Sequence, residues 1–295
     1  MAREYIARDP RTGERIGAKP KGARKGVGIA ALSPDSGPWQ RLESHEILPL
    51  ADGESGKIEI LADGKRWLLG RIDGIKALAK VPERDAERAY DSLVDALEDD
   101  FPDVRIAALK TLPSFSLRRQ GILLHCLSDR LVDDEDSVRE EAMTCLKKVA
   151  PLFPSGCEEI LRRELRDPRK DHRGNAFEAL KLASREWPEV GCLHLDELIR
   201  EEEDDLRIRG SMILRTIASK GGAEAWDLNG WSLQDREVRV RRNASKTLTI
   251  LADVEPRVAV ILVESSIGED DRQIRGSVIK ALTVSYTHLT LPTKA

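Results

Sequence analysis

Hydrophobic side chains recur along this chain with a period of 34 residues. The column that sets the register, here position 0, contains Val104, Val138, His172, Leu206, Val240 and Ile274. Position +4 is small or apolar (Ala108, Ala142, Ala176, Gly210, Ala244, Val278), and position +8 is always leucine (Leu112, Leu146, Leu180, Leu214, Leu248, Leu282). Spacings of four and eight residues place these side chains on one face of a helix, which we call helix B.

A second helix, helix A, is predicted upstream of helix B in every repeat. Position −7 is aliphatic (Leu97, Leu131, Leu165, Ile199, Leu233, Ile267), and so is position −11 except at Asn229 (Leu93, Leu127, Leu161, Leu195, Val263). Each repeat is therefore predicted to be a helical hairpin. Because one hairpin cannot bury its own apolar face, we expect the repeats to stack around a continuous core.

A further copy precedes these six. Gly70, Arg71, Gly74, Leu78 and Val81 occupy the same columns, but the first half of that copy does not match. A degenerate terminal repeat is typical of a cap. We therefore predict an all-α fold, an α-α superhelix (solenoid) of about seven 34-residue hairpins within residues 63–284.

Two columns are charged in every one of the six repeats. Position +1 is always arginine: Arg105, Arg139, Arg173, Arg207, Arg241 and Arg275. Position −5, in the predicted turn between the helices, is always acidic: Asp99, Asp133, Asp167, Glu201, Asp235 and Glu269. Side chains this regular point to a role shared by all repeats.

The string Asp-x-x-x-x-Val-Arg-x-x-Ala-x-x-x-Leu, which begins at Asp99 and again at Asp133, resembles the HEAT repeat. The resemblance covers about residues 65–284, although the period is shorter than the usual ~40–47 residues and the proline common in the family's first helix is absent. The tetratricopeptide repeat shares the 34-residue length, but its aromatic columns are missing. The resemblance implies that the acidic and arginine columns form a hydrogen-bonded ladder between neighbouring repeats. A phosphate-binding arginine stripe is the alternative.

Composition narrows the function classes. Aromatic residues make up only 4% of the 295 residues, which disfavours a β-sandwich or barrel, and a net charge of −4 disfavours a general nucleic-acid binder. The four cysteines form no C-x-x-C pair and no signal peptide precedes them, so reduced thiols in a cytoplasmic protein are predicted. No apolar run approaches the ~20 residues of a membrane span.

The two ends of the chain differ from the repeats. Residues 1–26 carry eight Lys or Arg against three acids and are predicted to be a basic disordered tail. Residues 27–62 are predicted to be irregular, with a candidate short strand at 58–61 followed by either a turn or a helix start at Asp63-Gly64. Residues 285–295 resemble the translated sequencing-adapter tail of metagenomic reading frames, so we expect them to be non-native.

Candidate catalytic and metal-ligating groups are sparse. His45-Glu46 is a single pair outside the six repeats, whereas an iron-dependent HEAT-like hydroxylase needs several. His125-Cys126 and the Cys192–His194 grouping lack a second half at ligand spacing. We therefore expect no catalytic activity, no metal and no cofactor.

Helix B positions +2, +3, +6 and +9 are predicted to face outward, and in HEAT-like solenoids the B helices line the concave side. Cations at these positions are Lys110, Lys147, Lys181, Arg209, Arg215, Arg242, Lys246 and Lys280. They predict a moderately basic concave groove for an acidic protein surface or peptide. The alternative is that cations near helix C-termini only complement the helix dipole.

The pattern favours a protein–protein interaction scaffold or adaptor with a binding site spread over several repeats. One alternative is a nucleic-acid-binding protein of the HEAT-like alkylpurine DNA glycosylase type, which the absence of groove aromatics disfavours. Another is a regulatory subunit of an enzyme complex. No membrane partner is expected.

Overall fold

The computed structural model describes residues 37–62, 64–115 and 120–290. Its helices are α1 (Ser44–Ala51), α2 (Arg71–Ala77), α3 (Ala86–Leu97), α4 (Pro102–Thr111), α5 (Gln120–Arg130), α6 (Asp136–Val149), α7 (Glu158–Glu164), α8 (Lys170–Glu186), α9 (Pro188–Leu198), α10 (Asp204–Ser211), α11 (Leu214–Ile217), α12 (Gly222–Leu233), α13 (Val238–Val254), α14 (Pro256–Glu264) and α15 (Arg272–Thr290). The strands are β1 (Ile58–Ala62) and β2 (Lys65–Leu69). The predicted basic tail, residues 1–26, lies outside the described residues.

The chain divides into two compact units, residues 1–86 and residues 87–295. The second unit contains six successive hairpins. Helix A of each is α3, α5, α7, α9, α12 or α14, and helix B is α4, α6, α8, α10 with α11, α13 or α15. The predicted all-α solenoid is confirmed: each helix A ends at or before position −7, and the acidic position −5 lies in the turn before helix B.

The core of the second unit lies between the two rows of helices. The leucines at position +8 in the first five hairpins are at most 1% exposed (Leu112, Leu146, Leu180, Leu214 and Leu248). Each such side chain contributes about 1.5–3 kcal/mol when fully buried. In the fourth hairpin, position +4 must be small because helices A and B cross closely there: a Cβ on Gly210 would lie 2.9 Å from Cβ of Leu198.

Neighbouring B helices of the second unit are in more extensive contact than neighbouring A helices are. The groove hypothesis places the outward positions of the B helices on the concave side of such a stack, and this placement stays a prediction.

One helix B is broken. Between α10 and α11 the helix tightens into a 3₁₀ turn, in which Met212 and Ile213 donate their amides to Arg209 and Gly210 three residues back, at 3.1 and 2.9 Å. The Ser211 hydroxyl donates to the Ile208 carbonyl at 2.6 Å, a side-chain bond that competes with the helical pattern. A 3₁₀ interruption inside a helix often marks a functional position.

The first unit contains a helix pair, α1 and α2, with a β-hairpin between them. Strands β1 and β2 pair antiparallel from Ile58 with Leu69 to Ala62 with Lys65, and Gly64 has the positive φ (+73°) that such a tight turn requires. Asp63, the other residue of the predicted turn, lies outside the described residues. The β-hairpin occupies the place of the short turn, which is why the first half of this repeat matches no column.

The structure places two predicted boundaries differently. The described part of the segment 27–62 contains α1, which was not predicted, and β1, which covers the candidate strand at 58–61 and is paired with a strand beyond residue 62. The tail predicted to begin at residue 285 starts inside α15, which continues to Thr290. Ser285 is buried at position +11 with its hydroxyl unpaired.

None of the described helices combines the length and the apolar character that a bilayer crossing needs.

Replacing Gly74 with alanine is expected to destabilise the first unit. A Cβ at this position would lie 2.5 Å from the Ala51 amide nitrogen and 2.8 Å from the Leu50 carbonyl carbon, so α1 and α2 would have to separate. Overpacking of this kind costs about 1–3 kcal/mol of unfolding free energy. Urea denaturation followed by circular dichroism measures the loss. The matched control is Gly276→Ala in α15, where a Cβ meets nothing within 4 Å, and a gain of about 0.5–1 kcal/mol is expected. Equal effects at both positions would contradict the steric argument.

Candidate functional site

The arginine column joins neighbouring repeats. In three rungs of the ladder, the arginine donates to the acidic position −5 of the next repeat: Arg105 to Asp133 at 2.8 Å, Arg207 to Asp235 at 3.0 Å and Arg241 to Glu269 at 2.7 Å. The side chains of Arg105 and Arg207 are only 10% and 4% exposed. These guanidinium groups are therefore bonded inside the stack and are not presented to a ligand at the surface.

The same arginines also fasten the turn of their own repeat. They donate to backbone carbonyls there: Arg105 to Asp99 and Asp100, Arg139 to Asp133, Arg207 to Glu201 and Glu202, Arg241 to Asp235 and Arg236, and Arg275 to Glu269 and Asp270. The acidic side chain completes the turn because it accepts the amide two residues ahead. The Asp99 carboxylate accepts from Phe101, and that of Asp235 from Glu237, at 2.9 and 2.7 Å.

The second repeat of this unit departs from the ladder. Arg139 donates to Asp136 of its own helix and has no bond to Asp167 of the next repeat among the described contacts. The Asp167 carboxylate is held instead by Arg169, at 2.8 and 2.9 Å.

The third repeat departs as well. Arg173 binds Glu203 and Asp205 at 3.1 and 2.9 Å and does not reach Glu201. Glu201 accepts from Arg166 at 2.7 Å, in a charge network between A helices that the repeat pattern does not predict.

Ion pairing with arginine lowers the pKa of Glu269, a ladder acid, and of Asp271 close to it. Hydrogen bonds from Arg241 lower the pKa of Glu269. The Arg242 guanidinium lowers the pKa of Asp271 to about 2. These carboxylates therefore remain ionised well into the acid range.

The predicted groove cations fall into two groups. Five have a partner on the protein: Lys110 with Glu141 (3.6 Å), Lys147 with Asn175 (2.7 Å), Lys181 with Glu178 (3.4 Å), Arg209 with Asp205 (3.0 Å) and Arg242 with Asp271 (2.7 Å). The other three, Arg215, Lys246 and Lys280, are exposed, and their side chains form no ion pair with any residue that the structure describes. These three are available to a partner.

The charge of the groove changes along its length. In the first three repeats of the unit, the outward positions carry the acids Glu140, Glu141 and Glu178 as well as cations. In the last three repeats no outward position is acidic, and the cations there are Arg209, Arg215, Arg242, Lys246 and Lys280. We call these five, together with Met212, the cationic groove segment.

Met212 is the member of this segment that sequence reasoning missed. It occupies position +6, the outward column of Lys246 and Lys280, and the residue is 58% exposed. The Asn243 amide of the next repeat donates to the Ile208 carbonyl and the Ser211 hydroxyl at 3.3 and 3.0 Å, which holds this turn in place. An apolar contact therefore lies among the cations.

The cysteine thiols and the His194 imidazole are buried and do not belong to the cationic groove segment. Cys126, Cys145, Cys157 and Cys192 are free thiols in the interior, and burial raises the pKa of both Cys157 and Cys192 to about 12. His194 is fully buried with both ring nitrogens unpaired, and burial lowers its pKa, so it is neutral at pH 7.

No protein-family model matches the chain, and no curated protein matches it. Solved structures do. Kap121p, in its structure bound to Pho4p, has a TM-score of 0.50 and 14% identity over 84% of this chain and 30% of its own. This chain folds as a HEAT/armadillo-type α-solenoid. The archaeal HEAT-like repeats protein from Thermococcus onnurineus NA1 has a TM-score of 0.46 and 13% identity, over 84% of this chain and 99% of its own. A computationally designed armadillo repeat protein for modular peptide recognition has a TM-score of 0.39 and 15% identity, over 71% and 97%.

Replacing Arg207 with alanine is expected to destabilise this HEAT/armadillo-type solenoid by about 3–5 kcal/mol, because it leaves the buried Asp235 carboxylate without its cationic partner. Arg275→Ala is the matched control, since this arginine occupies the same column but is exposed, and its loss should cost no more than about 1 kcal/mol. Urea denaturation of both variants measures the difference. Equal losses would show that the inter-repeat rung contributes nothing.

The stability of this solenoid is expected to fall in acid. The native pKa values of Glu269 and Asp271 lie below their ordinary values of 4.5 and 3.8. Their contribution is therefore complete above about pH 4.5 and is lost as the pH falls toward 2. The urea midpoint at pH 5 and at pH 2.5 measures this loss. Arg242→Gln should reduce the difference, because Asp271 then loses its partner; an unchanged difference would contradict the assignment.

Proposed function

We propose that this chain is a cytoplasmic, non-catalytic scaffold that binds an acidic segment of a partner protein along the cationic groove segment. The observation that carries the proposal is the exposure of Arg215, Lys246 and Lys280, one on each of three successive repeats and none with an ion-pair partner among the described residues. A ligand that pairs with all three must extend across the repeats.

The arrangement of the row supports an elongated ligand. Packed helices lie about 8–10 Å apart, so Lys246 and Lys280, which share position +6, present two charges at roughly that spacing. Met212 continues the same column one repeat earlier and adds an apolar contact. A segment with acidic side chains next to a hydrophobic one complements this row.

The paired cations contribute less. Arg209 and Arg242 are bound to Asp205 and Asp271, and a ligand must compete with these carboxylates. They are expected to modulate the affinity, whereas the three unpaired cations determine it.

Nucleic acid is the competing ligand class. The net charge of −4 opposes it, and the outward positions of the last three repeats contain no aromatic side chain for base stacking. The two ligand classes also differ in chemistry, because a protein segment with a hydrophobic residue can use Met212.

The identity of the partner can be tested with the full chain as bait in cell lysate, with and without nuclease. A bound protein retained after nuclease treatment is then produced in isolation, and its affinity for the full chain is measured directly. Recovery of nucleic acid alone, lost on nuclease treatment, would replace the scaffold proposal.

Charge reversal in the groove is expected to weaken that affinity at least tenfold. In Arg215→Glu/Lys246→Glu/Lys280→Glu, three favourable contacts of about 0.2–1 kcal/mol each become repulsive, and about 1.4 kcal/mol corresponds to tenfold. The matched control reverses Arg200, Arg236 and Arg257, three exposed cations on A helices and turns. Isothermal titration calorimetry of both triple variants gives the comparison. Equal weakening by both would indicate a net-charge effect and remove the groove as the site.

A further inference from the structure

The third hairpin of the second unit differs from the other five at one point. Position 0 is aliphatic in the others, but here it is His172. Position −8 holds Ala96, Arg130, Leu198, Ser232 or Ser266 in the other hairpins, but here it is Glu164. These two departures coincide in space with a third residue, Asp167.

Glu164, Asp167 and His172 each place a possible metal-ligand atom within 4.8 Å of the others. The His172 Nε2 and Glu164 Oε2 atoms are 2.5 Å apart. The side chains of Glu164 and His172 are only 2% and 10% exposed. A buried carboxylate and a buried imidazole are costly to desolvate and are seldom placed together without a reason.

At this hairpin, the arginine at position +1 makes no described bond to its own turn. In the other five, the arginine at position +1 donates to carbonyls of its own turn, but Arg173 has no such bond among the described contacts, and its Nε is buried and unpaired. Arg139 of the preceding repeat has no bond to Asp167 either. The three side chains therefore lie at a turn that, among the described contacts, lacks the bond from its own arginine at position +1 and the bond from the arginine of the preceding repeat.

Two arginines bind the carboxylates of the trio. Arg163 donates to Glu164 Oε1 at 2.7 Å, which leaves the Oε2 atom facing His172. Arg169 binds Asp167, but its side chain is 46% exposed and can turn toward solvent. A divalent ion would then take the place of the Arg169 guanidinium.

We propose that Glu164, Asp167 and His172 bind a divalent transition-metal ion of the Zn²⁺ class. One imidazole nitrogen and two carboxylate oxygens are ligands that Zn²⁺ accepts. The ligands come from the end of α7, the connecting turn and the first turn of α8. The ion therefore fastens this turn, which the arginine fastens in the other repeats, and its role is structural.

The test uses the full chain, stripped with a chelator and titrated with Co²⁺, whose visible absorption reports nitrogen and oxygen coordination. One equivalent is expected to bind, and Zn²⁺ should displace it. Saturating Zn²⁺ should raise the melting temperature, because an ion that binds only the folded state stabilises it.

His172→Val restores the residue found at Val104, Val138 and Val240 in the same column, so the variant is expected to fold. It should lose the Co²⁺ spectrum and the Zn²⁺-dependent melting shift, with affinity lowered at least tenfold. Glu164→Gln provides a second variant of similar shape with the same expected loss. His125→Ala is the matched control, because this histidine is exposed beside Asp129, and it should leave both signals unchanged.

Two results would overturn the proposal. Absence of one-to-one Co²⁺ binding by the unaltered chain would leave the trio as a hydrogen-bonded histidine–carboxylate group. Binding that survives in both His172→Val and Glu164→Gln would place the ion on other surface carboxylates, as an adventitious ion only. Neither result bears on partner binding by the cationic groove segment, which lies on later repeats.

Discussion

The stacking of hairpins in the second unit depends on the arginines at position +1, several of which have buried guanidinium groups. In five of the six repeats, the arginine at position +1 donates to carbonyls of its own turn; in three repeats it also donates to the acid at position −5 of the next repeat, as Arg207 does with Glu201 and Asp235. Apolar burial drives the stacking but is nearly non-directional. The directed bonds set the offset between hairpins, and the acid is required because a buried, unpaired guanidinium is costly.

The ladder also determines which charges remain for function. The arginine column at position +1 and the acidic column at position −5, the most regular charges in the sequence, mostly bond to groups inside the stack. Five of the outward cations are paired with neighbouring side chains. What remains is the unpaired cations of the last three repeats, Arg215, Lys246 and Lys280, beside the exposed Met212. The surface proposed for binding is therefore the part of the repeat pattern that the ladder does not use.

A repeat protein supplies its own comparison, because each position has counterparts in the same chain. Asn229 breaks the apolar column −11, and the structure explains it: the side chain is buried and bonds to Thr247 and the Ala244 carbonyl at the α12–α13 contact. His172 and Glu164 are departures of the same kind that meet at one turn. In the first unit, the departure is a whole β-hairpin between α1 and α2.

The sequence by itself determined the fold class, the 34-residue hairpin, the buried columns and the existence of two charged columns, because these follow from helical periodicity within single repeats. It did not determine which cations are paired, since Lys110 with Glu141 and Arg242 with Asp271 join residues about one repeat apart. Nor did it reveal the interrupted helix at Met212 or the meeting of Glu164, Asp167 and His172. Those features depend on how side chains from separate helices and turns pack against one another, and only the tertiary structure decides that.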